Sequence, residues 1–142
     1  MKLFITMIAL AFPLFASANT VVFQATSAAP ETLKTLSFDS AYLTDDAGQL
    51  ILTAGNLAGS FQTVSAVRMT EDAISFKAEK LLLNSWESGC GEAEFAKASI
   101  EGVSVLGAVE AKNLKISIQY TTVHDVCHSQ PQTQLIKYQL VQ

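Results

Sequence analysis

Alternation of apolar and polar positions is the dominant pattern along residues 19–142. In Ala73–Glu79, isoleucine, phenylalanine and alanine occupy every second position, separated by serine, lysine and glutamate. The same period of two occurs in Thr20–Thr26, Phe61–Met69, Leu114–Thr122 and Ile136–Leu140. Because side chains of a β-strand point alternately to its two faces, this period predicts strands with one buried face.

Within Phe61–Met69, the spacing places Phe61, Val67 and Met69 on the same, buried face. Short turn signals separate the runs, such as Asp45–Gly48 and the pair Lys112-Asn113. Regular strands with short turns indicate antiparallel pairing. We therefore expect an all-β fold, either an antiparallel β-sandwich or a small β-barrel of about eight strands.

Three segments fit the strand pattern less well. Ala73–Leu83 also carries a helical stripe, although its alternation favours a strand. Glu92–Ser99 is rich in good helix formers and alternates poorly, so its sequence is compatible with helix or strand. Ser27–Leu36 has Pro30 at a suitable first helical position and is compatible with one short helical turn.

The first 18 residues differ from the rest of the chain. Lys2 is followed by an apolar run from Leu3 to Phe15, and small residues end at Ala18 before Asn19. A basic start, an apolar stretch and small residues before the cut are typical of a secretory signal peptide. We expect cleavage between Ala18 and Asn19 to remove residues 1–18. Residues 19–142 then remain as a single β-rich domain. The mature part contains no second apolar run of comparable length, so we expect no transmembrane helix in it.

Charge and composition exclude several classes of protein. The formal net charge is −4, and it becomes −5 in the mature chain because Lys2 leaves with the leader. The basic residues form no cluster in the sequence, so a nucleic-acid partner is not expected. An apolar fraction of 49% for the full chain argues against a disordered protein.

The two cysteines of the chain, Cys90 and Cys127, both belong to the mature part. In an oxidising compartment an even pair most simply forms one disulfide. Gly89 and Gly91 allow the backbone around Cys90 to approach its partner closely. The prediction is therefore a Cys90–Cys127 bridge and an exported protein, periplasmic or secreted.

The only local group of potential metal ligands or catalytic bases contains His124, Asp125, Cys127 and His128. With reduced cysteines, the imidazoles and thiolates would suit zinc, but the usual paired spacing is absent. Ser104 lies in a near match to a nucleophile elbow that has Leu106 where the second glycine belongs. We therefore expect no catalytic residue, no metal and no cofactor.

Trp86 stands alone in a polar, glycine-bearing segment that leads to the first cysteine. Tryptophan is enriched at binding hot spots, so Trp86 is the candidate contact residue. The expected function is a small non-catalytic exported domain that binds an apolar small molecule or an unknown protein. The alternatives are an outer-membrane-type β-barrel, and a small secreted hydrolase or metal-binding protein that uses His124 and His128.

Overall fold

The structure is a computed structural model that describes residues 19–44, 48–86 and 89–142. This part of the chain contains ten β-strands, two short 3₁₀ segments and no α-helix. The strands are β1 (Val21–Ala25), β2 (Thr35–Phe38), β3 (Ser40–Leu43), β4 (Gln49–Thr53), β5 (Gly59–Met69), β6 (Ala73–Trp86), β7 (Ala93–Val105), β8 (Ala108–Val109), β9 (Lys115–Val123) and β10 (Gln132–Leu140). The expected all-β class is confirmed, with ten strands where the sequence predicted about eight.

The strands form one antiparallel sheet in the order β2-β1-β10-β9-β7-β6-β5-β4-β3-β8. Strand β8 also pairs with β7, so the six strands β3–β8 close into a barrel. The other four strands extend from β7 and end at β2. The first strand of the described chain therefore pairs with the last, since β1 lies beside β10.

One edge of β7 serves two neighbours. Residues Ala93–Glu101 pair with β9, and Ser104 and Val105 pair with β8. The turn from β7 to β8 consists of Leu106 and Gly107, whose φ angles are both positive at 52° and 81°. Such a two-residue turn matches the twist of antiparallel strands. The barrel and the four-strand extension therefore share β7 and are built on one continuous core.

The core follows the alternation in the sequence. Its members on β6, β7 and β9 are all buried: Phe76, Ala78, Ala96, Ala98, Ile100, Ile116, Ile118 and Tyr120. The segment Glu92–Ser99, which the sequence left open, is strand from Ala93 onward. The helical alternative for Ala73–Leu83 is wrong, because that segment forms β6. Burial of one face of each strand supplies the main stabilisation.

The expected shared buried face of Phe61, Val67 and Met69 is wrong. Phe61 is fully buried, but Val67 and Met69 are 77% and 71% exposed. Pairing between β5 and β6 shifts register twice, between Thr63 and Ser65 and again before Arg68. The first bulge adds a residue to β5 and explains Val67, because it turns the side chains that follow to the other face. The second bulge reverses this change, so Met69 stands opposite Ile74 and is exposed at the end of the strand.

Within the part of the chain that the structure describes, the helical segments are the two 3₁₀ turns Glu31–Leu33 and Ala111–Asn113. The first confirms the expected helical turn, although Pro30 immediately precedes it and does not occupy its first position. The expected leader, residues 1–18, and Asp45–Ala47 of the predicted β3–β4 turn lie outside the described residues. Among residues 19–44, 48–86 and 89–142, no helix has the length and apolar character that a membrane span requires.

Candidate functional site

Strand β2 lies at the edge of the sheet and pairs only with β1 in the described chain. We call the edge of β2 that faces away from β1 the seam. At this seam an open pocket of about 360 Å³ lies between the first 3₁₀ segment, β2, the β4–β5 loop and β6. Leucines supply most of its apolar lining, and Thr32, Asn56 and Lys80 supply polar groups; the leucines are Leu33, Leu36, Leu57, Leu82 and Leu83. We call this cavity the seam pocket. Its volume and mixed lining are typical of small-molecule sites.

The side-chain amide of Asn56 closes the backbone edge of β2. Its Nδ2 donates a hydrogen bond to the carbonyl oxygen of Thr35 at 2.6 Å, and the amide of Ser37 donates to its Oδ1 at 2.7 Å. An unpaired strand edge is a site of unwanted association. Asn56 therefore takes the place of a neighbouring strand along β2 and fixes one wall of the seam pocket.

Lys80 lies on the inward face of β6, where apolar residues are expected. In the β6–β7 register it stands opposite Ala98, and Ala78, two positions earlier, is fully buried. A bulge between Leu81 and Leu83 then brings both Leu82 and Leu83 against the core. Lys80 thus places one ammonium group beside a row of leucines at the pocket.

Phe61 and Gly59 make room for that ammonium group. The Nζ of Lys80 lies 5.5 Å from the centroid of the Phe61 ring, within the range of a cation–π interaction. Gly59 has a φ of +136°, and a Cβ atom built on it would collide with Lys80 Nζ. A glycine at this position therefore allows the lysine to fold back over the ring.

Two lysines on the outer face of β6 and β7, Lys77 and Lys97, are neutralised by a carboxylate, which distinguishes them from Lys80. Glu79 forms an ion pair with Lys97, and its Oε1 lies 3.6 Å from the Nζ of Lys77. The hydrogen bond from Lys97 lowers the pKa of Glu79 below its ordinary value. Within the described residues no carboxylate forms an ion pair with Lys80. Its charge is therefore available to a ligand.

The predicted disulfide is present between Cys90 and Cys127, whose Cα atoms are 5.1 Å apart. Antiparallel pairing explains the contact, because Ala93 at the start of β7 stands opposite Val123 at the end of β9. The segments outside this pair must therefore meet. A bridge in this position is compatible with an oxidising compartment.

The histidines predicted as alternative site residues lie at the same end of the domain, on the surface. His128 Nδ1 is 3.0 Å from Asp125 Oδ2, and His124 Nδ1 is 3.7 Å from a carboxylate oxygen of Glu92. The pKa of Asp125 is lowered mainly by its side-chain hydrogen bond with His128, and also by the hydrogen bond that it accepts from the Cys127 amide. No serine or threonine hydroxyl of the described chain is hydrogen-bonded to either imidazole. The arrangement therefore assembles an acid–base pair without a positioned nucleophile.

A thiolate-based metal site is not compatible with the bridge. The ligand atoms of Cys90, Asp125 and Cys127 lie within 4.8 Å of one another. The thiolate is the form of cysteine that binds metals, and here both sulfurs are bonded to each other. One carboxylate is then the only free ligand of the three.

The remaining candidates are on separate strands. Trp86 is the last residue of β6 and is 62% exposed. Ser104, from the near match to a nucleophile elbow, is buried within β7, which continues as strand to Val105. The structure does not bring Trp86 into the lining of the seam pocket.

The sequence itself marks Lys80 as unusual. The apolar alternation of Ile74, Phe76 and Ala78 continues to position 80, where a lysine breaks it. A charge at an inward position of a strand departs from the binary pattern and marks a candidate functional residue. Comparisons with protein families, curated proteins and solved structures found no match for this chain.

Proposed function

We propose that the protein is an exported, non-catalytic binding module whose seam pocket takes a small molecule with an apolar chain and one carboxylate. The observation that carries this proposal is the ammonium group of Lys80 beside the leucines of the pocket, with no carboxylate of the described residues as its ion-pair partner. A ligand of this kind satisfies both features, because its chain covers the leucines and its carboxylate pairs with the lysine.

The expected energies are sufficient for specific recognition. Each methylene group that the pocket buries contributes about 0.8 kcal/mol, so affinity rises about fourfold per carbon until the pocket is full. A hydrogen bond to a charged group contributes about 1.5–3 kcal/mol. The carboxylate therefore strengthens binding about tenfold to a hundredfold over an uncharged analogue.

The distribution of side chains supports this function over an outer-membrane barrel. Such barrels have an apolar outer band and a polar interior. Here the interior positions of β7 are Ala96, Ala98 and Ile100, while Lys97 and Glu101 on the same strand are exposed. The disulfide and the leader-like first 18 residues support export to the periplasm or the exterior.

The surface position of the histidines supports a non-catalytic role over a hydrolase. The side chains of His124 and His128 are 66% and 79% exposed, and each imidazole lies beside a carboxylate. General acid–base catalysis requires a base held against a substrate in a protected site. A turnover that is abolished in a His124→Ala/His128→Ala variant would overturn the non-catalytic assignment.

Calorimetry with decanoate and decanol tests the proposed ligand class. The wild-type protein is expected to bind decanoate about tenfold or more tightly than decanol, because only the acid pairs with Lys80. Lys80→Met keeps an apolar side chain of similar length and removes the charge. This variant should lose the preference and retain its affinity for decanol.

Lys77→Met is the matched control. It removes a lysine three positions away on the same strand, but from the outer face, where Glu79 is its partner. The control is expected to keep the wild-type preference for decanoate. Absence of binding by the wild-type protein, or equal decanoate affinity in the wild type and Lys80→Met, would contradict the assignment of the pocket.

A further inference from the structure

Strands β9 and β10 separate at one end of the sheet. Their pairing runs to the rung between Ser117 and Lys137, although β9 begins at Lys115 and β10 continues to Leu140. Beyond that rung, residues 138–140 of β10 pair with β1, and Lys115 and Ile116 of β9 pair with β7. Two strand edges that face each other are thus left without a pairing strand in the described chain.

An open cleft of about 460 Å³ occupies this gap, which we call the β9–β10 cleft. Its apolar lining includes Phe23, Leu114, Ile116 and Leu140. Three lysines line it as well, Lys112, Lys115 and Lys137, against one acid, Glu101. Glu110 lies 3.7 Å from Lys112 outside this lining, and Glu101 stands opposite Lys115 in the β7–β9 register. Three lysines therefore face two acids around the cleft, and Lys137 stands opposite Ser117, which carries no charge.

We infer that the β9–β10 cleft binds an extended acidic segment of a partner protein, which adds a strand between β9 and β10. Backbone hydrogen bonds to an open edge provide affinity in strand addition, and alternate side chains provide specificity. The segment would run parallel to one neighbour and antiparallel to the other. Its charge complements the excess of lysine around the cleft.

The register of the two edges also predicts the sequence pattern of the segment. Ile116 faces the core, and its neighbours Lys115 and Ser117 face outward; Lys137 faces outward in the rung with Ser117. Side chains of an inserted strand must alternate in the same way. Acidic residues would therefore lie outward beside the lysines, and apolar residues inward beside Ile116.

This inference is independent of the proposed ligand of the seam pocket. The two cavities share no lining residue, and the seam pocket depends on Lys80 while the cleft depends on Lys115 and Lys137. Lys80→Met should leave peptide binding unchanged. Failure of one assignment is therefore distinguishable from failure of the other.

Titration of the full-length mature protein with short capped peptides tests the inference. The probe alternates valine and glutamate, a second peptide has lysine in place of glutamate, and a third is the acidic peptide with alternate backbone amides N-methylated. Only the first peptide should bind. It should shift the amide resonances of Ile116 and Tyr138, and its affinity should fall with added salt.

Two double variants locate the site. Lys115→Gln/Lys137→Gln should weaken binding of the acidic peptide by about fivefold to tenfold, because two cross-strand charge pairs are lost. Lys77→Gln/Lys97→Gln changes the net charge equally on another part of the outer face, and its effect should stay below about twofold. Circular dichroism checks that both variants are folded.

Three results would overturn the inference. Equal binding of the acidic and basic peptides would contradict the role of the lysines. Equal binding of the N-methylated peptide would contradict backbone pairing and would indicate a surface that recognises charge alone. Absence of binding of the acidic peptide to the wild-type protein, with no shift at Ile116, would contradict the site itself.

Discussion

Replacing Gly55 with alanine is expected to destabilise the protein strongly, because the β4–β5 loop presses its backbone against β2 at this residue. Gly55 has a φ of +79°, and an added Cβ would overlap the carbonyl group of Ser37 and lie 2.8 Å from the Cα of Phe38. These are backbone atoms, so no side chain can rotate away. Relief requires the loop to leave β2 and to break the hydrogen bonds of Asn56.

Two contributions make up the expected magnitude. Holding alanine in the left-handed region costs about 1–2 kcal/mol. Overpacking against a closely packed backbone costs about 1–3 kcal/mol more. The total of about 2–5 kcal/mol is a large fraction of the 5–15 kcal/mol that is typical for a domain.

Gly89→Ala is the matched control for this prediction. Gly89 also has a positive φ, of +92°, but a Cβ at this position would meet no atom within 4 Å. It should therefore lose only the backbone contribution of about 1–2 kcal/mol.

Urea unfolding followed by circular dichroism measures both variants. With a slope of about 1–3 kcal/mol per molar urea, the midpoint of Gly55→Ala should fall clearly below that of Gly89→Ala. A loss of stability in Gly55→Ala no greater than in Gly89→Ala would refute the claim that the loop is held against β2 at van der Waals distance.

Three further predictions concern processing, the bridge and pH. Mass spectrometry of exported protein should show a chain that begins at Asn19; a retained leader would contradict the signal-peptide assignment. Replacing Cys90 and Cys127 by serine should lower the free energy of unfolding by up to about 4 kcal/mol, since the bridge spans 37 positions; an unchanged urea midpoint would contradict this. Burial raises the pKa of Tyr138 to about 12, and burial with a hydrogen bond to a carboxylate does the same for Tyr120. Both tyrosines are protonated in folded and unfolded chains well below pH 10, so the stability that they contribute should be lost between about pH 10 and 12, where the unfolded chain ionises first. A double phenylalanine variant should lack this fall.

The exposed tryptophan provides a separate test of partner binding. Trp86 is 62% exposed at the end of β6, and we expect Trp86→Ala to weaken capture of a partner while leaving the urea midpoint nearly unchanged. Native mass spectrometry of the purified complex measures the loss. Unchanged capture by a folded variant would remove Trp86 from the binding surface.

Local alternation was sufficient to predict most strands, and the cysteine count was sufficient to predict the disulfide. Ile74, Phe76 and Ala78 keep the period of two without interruption, and the strand they predict is present. The Cys90–Cys127 bridge followed from the presence of only two cysteines in the sequence. In neither case does the prediction depend on knowing how distant strands pair.

The sequence alone predicts neither the bulges of β5 nor the closing of the β2 edge by the side chain of Asn56. Val67 keeps the right spacing from Phe61, but the bulges of β5 depend on how β6 pairs with it, and the periodicity of one strand carries no record of that pairing. The role of Asn56 likewise depends on β2 lying next to the β4–β5 loop, a contact made by the tertiary fold. The seam pocket therefore became visible only in three dimensions.

Pairing of β1 with β10 has a consequence for the order in which the chain can fold. The amide of Thr26, just after β1, donates to the carbonyl of Lys137, 111 positions away. Closing so long a loop carries an entropic cost that local contacts cannot offset early, so folding is slow for this topology. The N-terminal strand cannot complete its ladder before the last strand has been synthesised. The edge of β1 that faces β10 therefore stays open until Gln132–Leu140 has been synthesised.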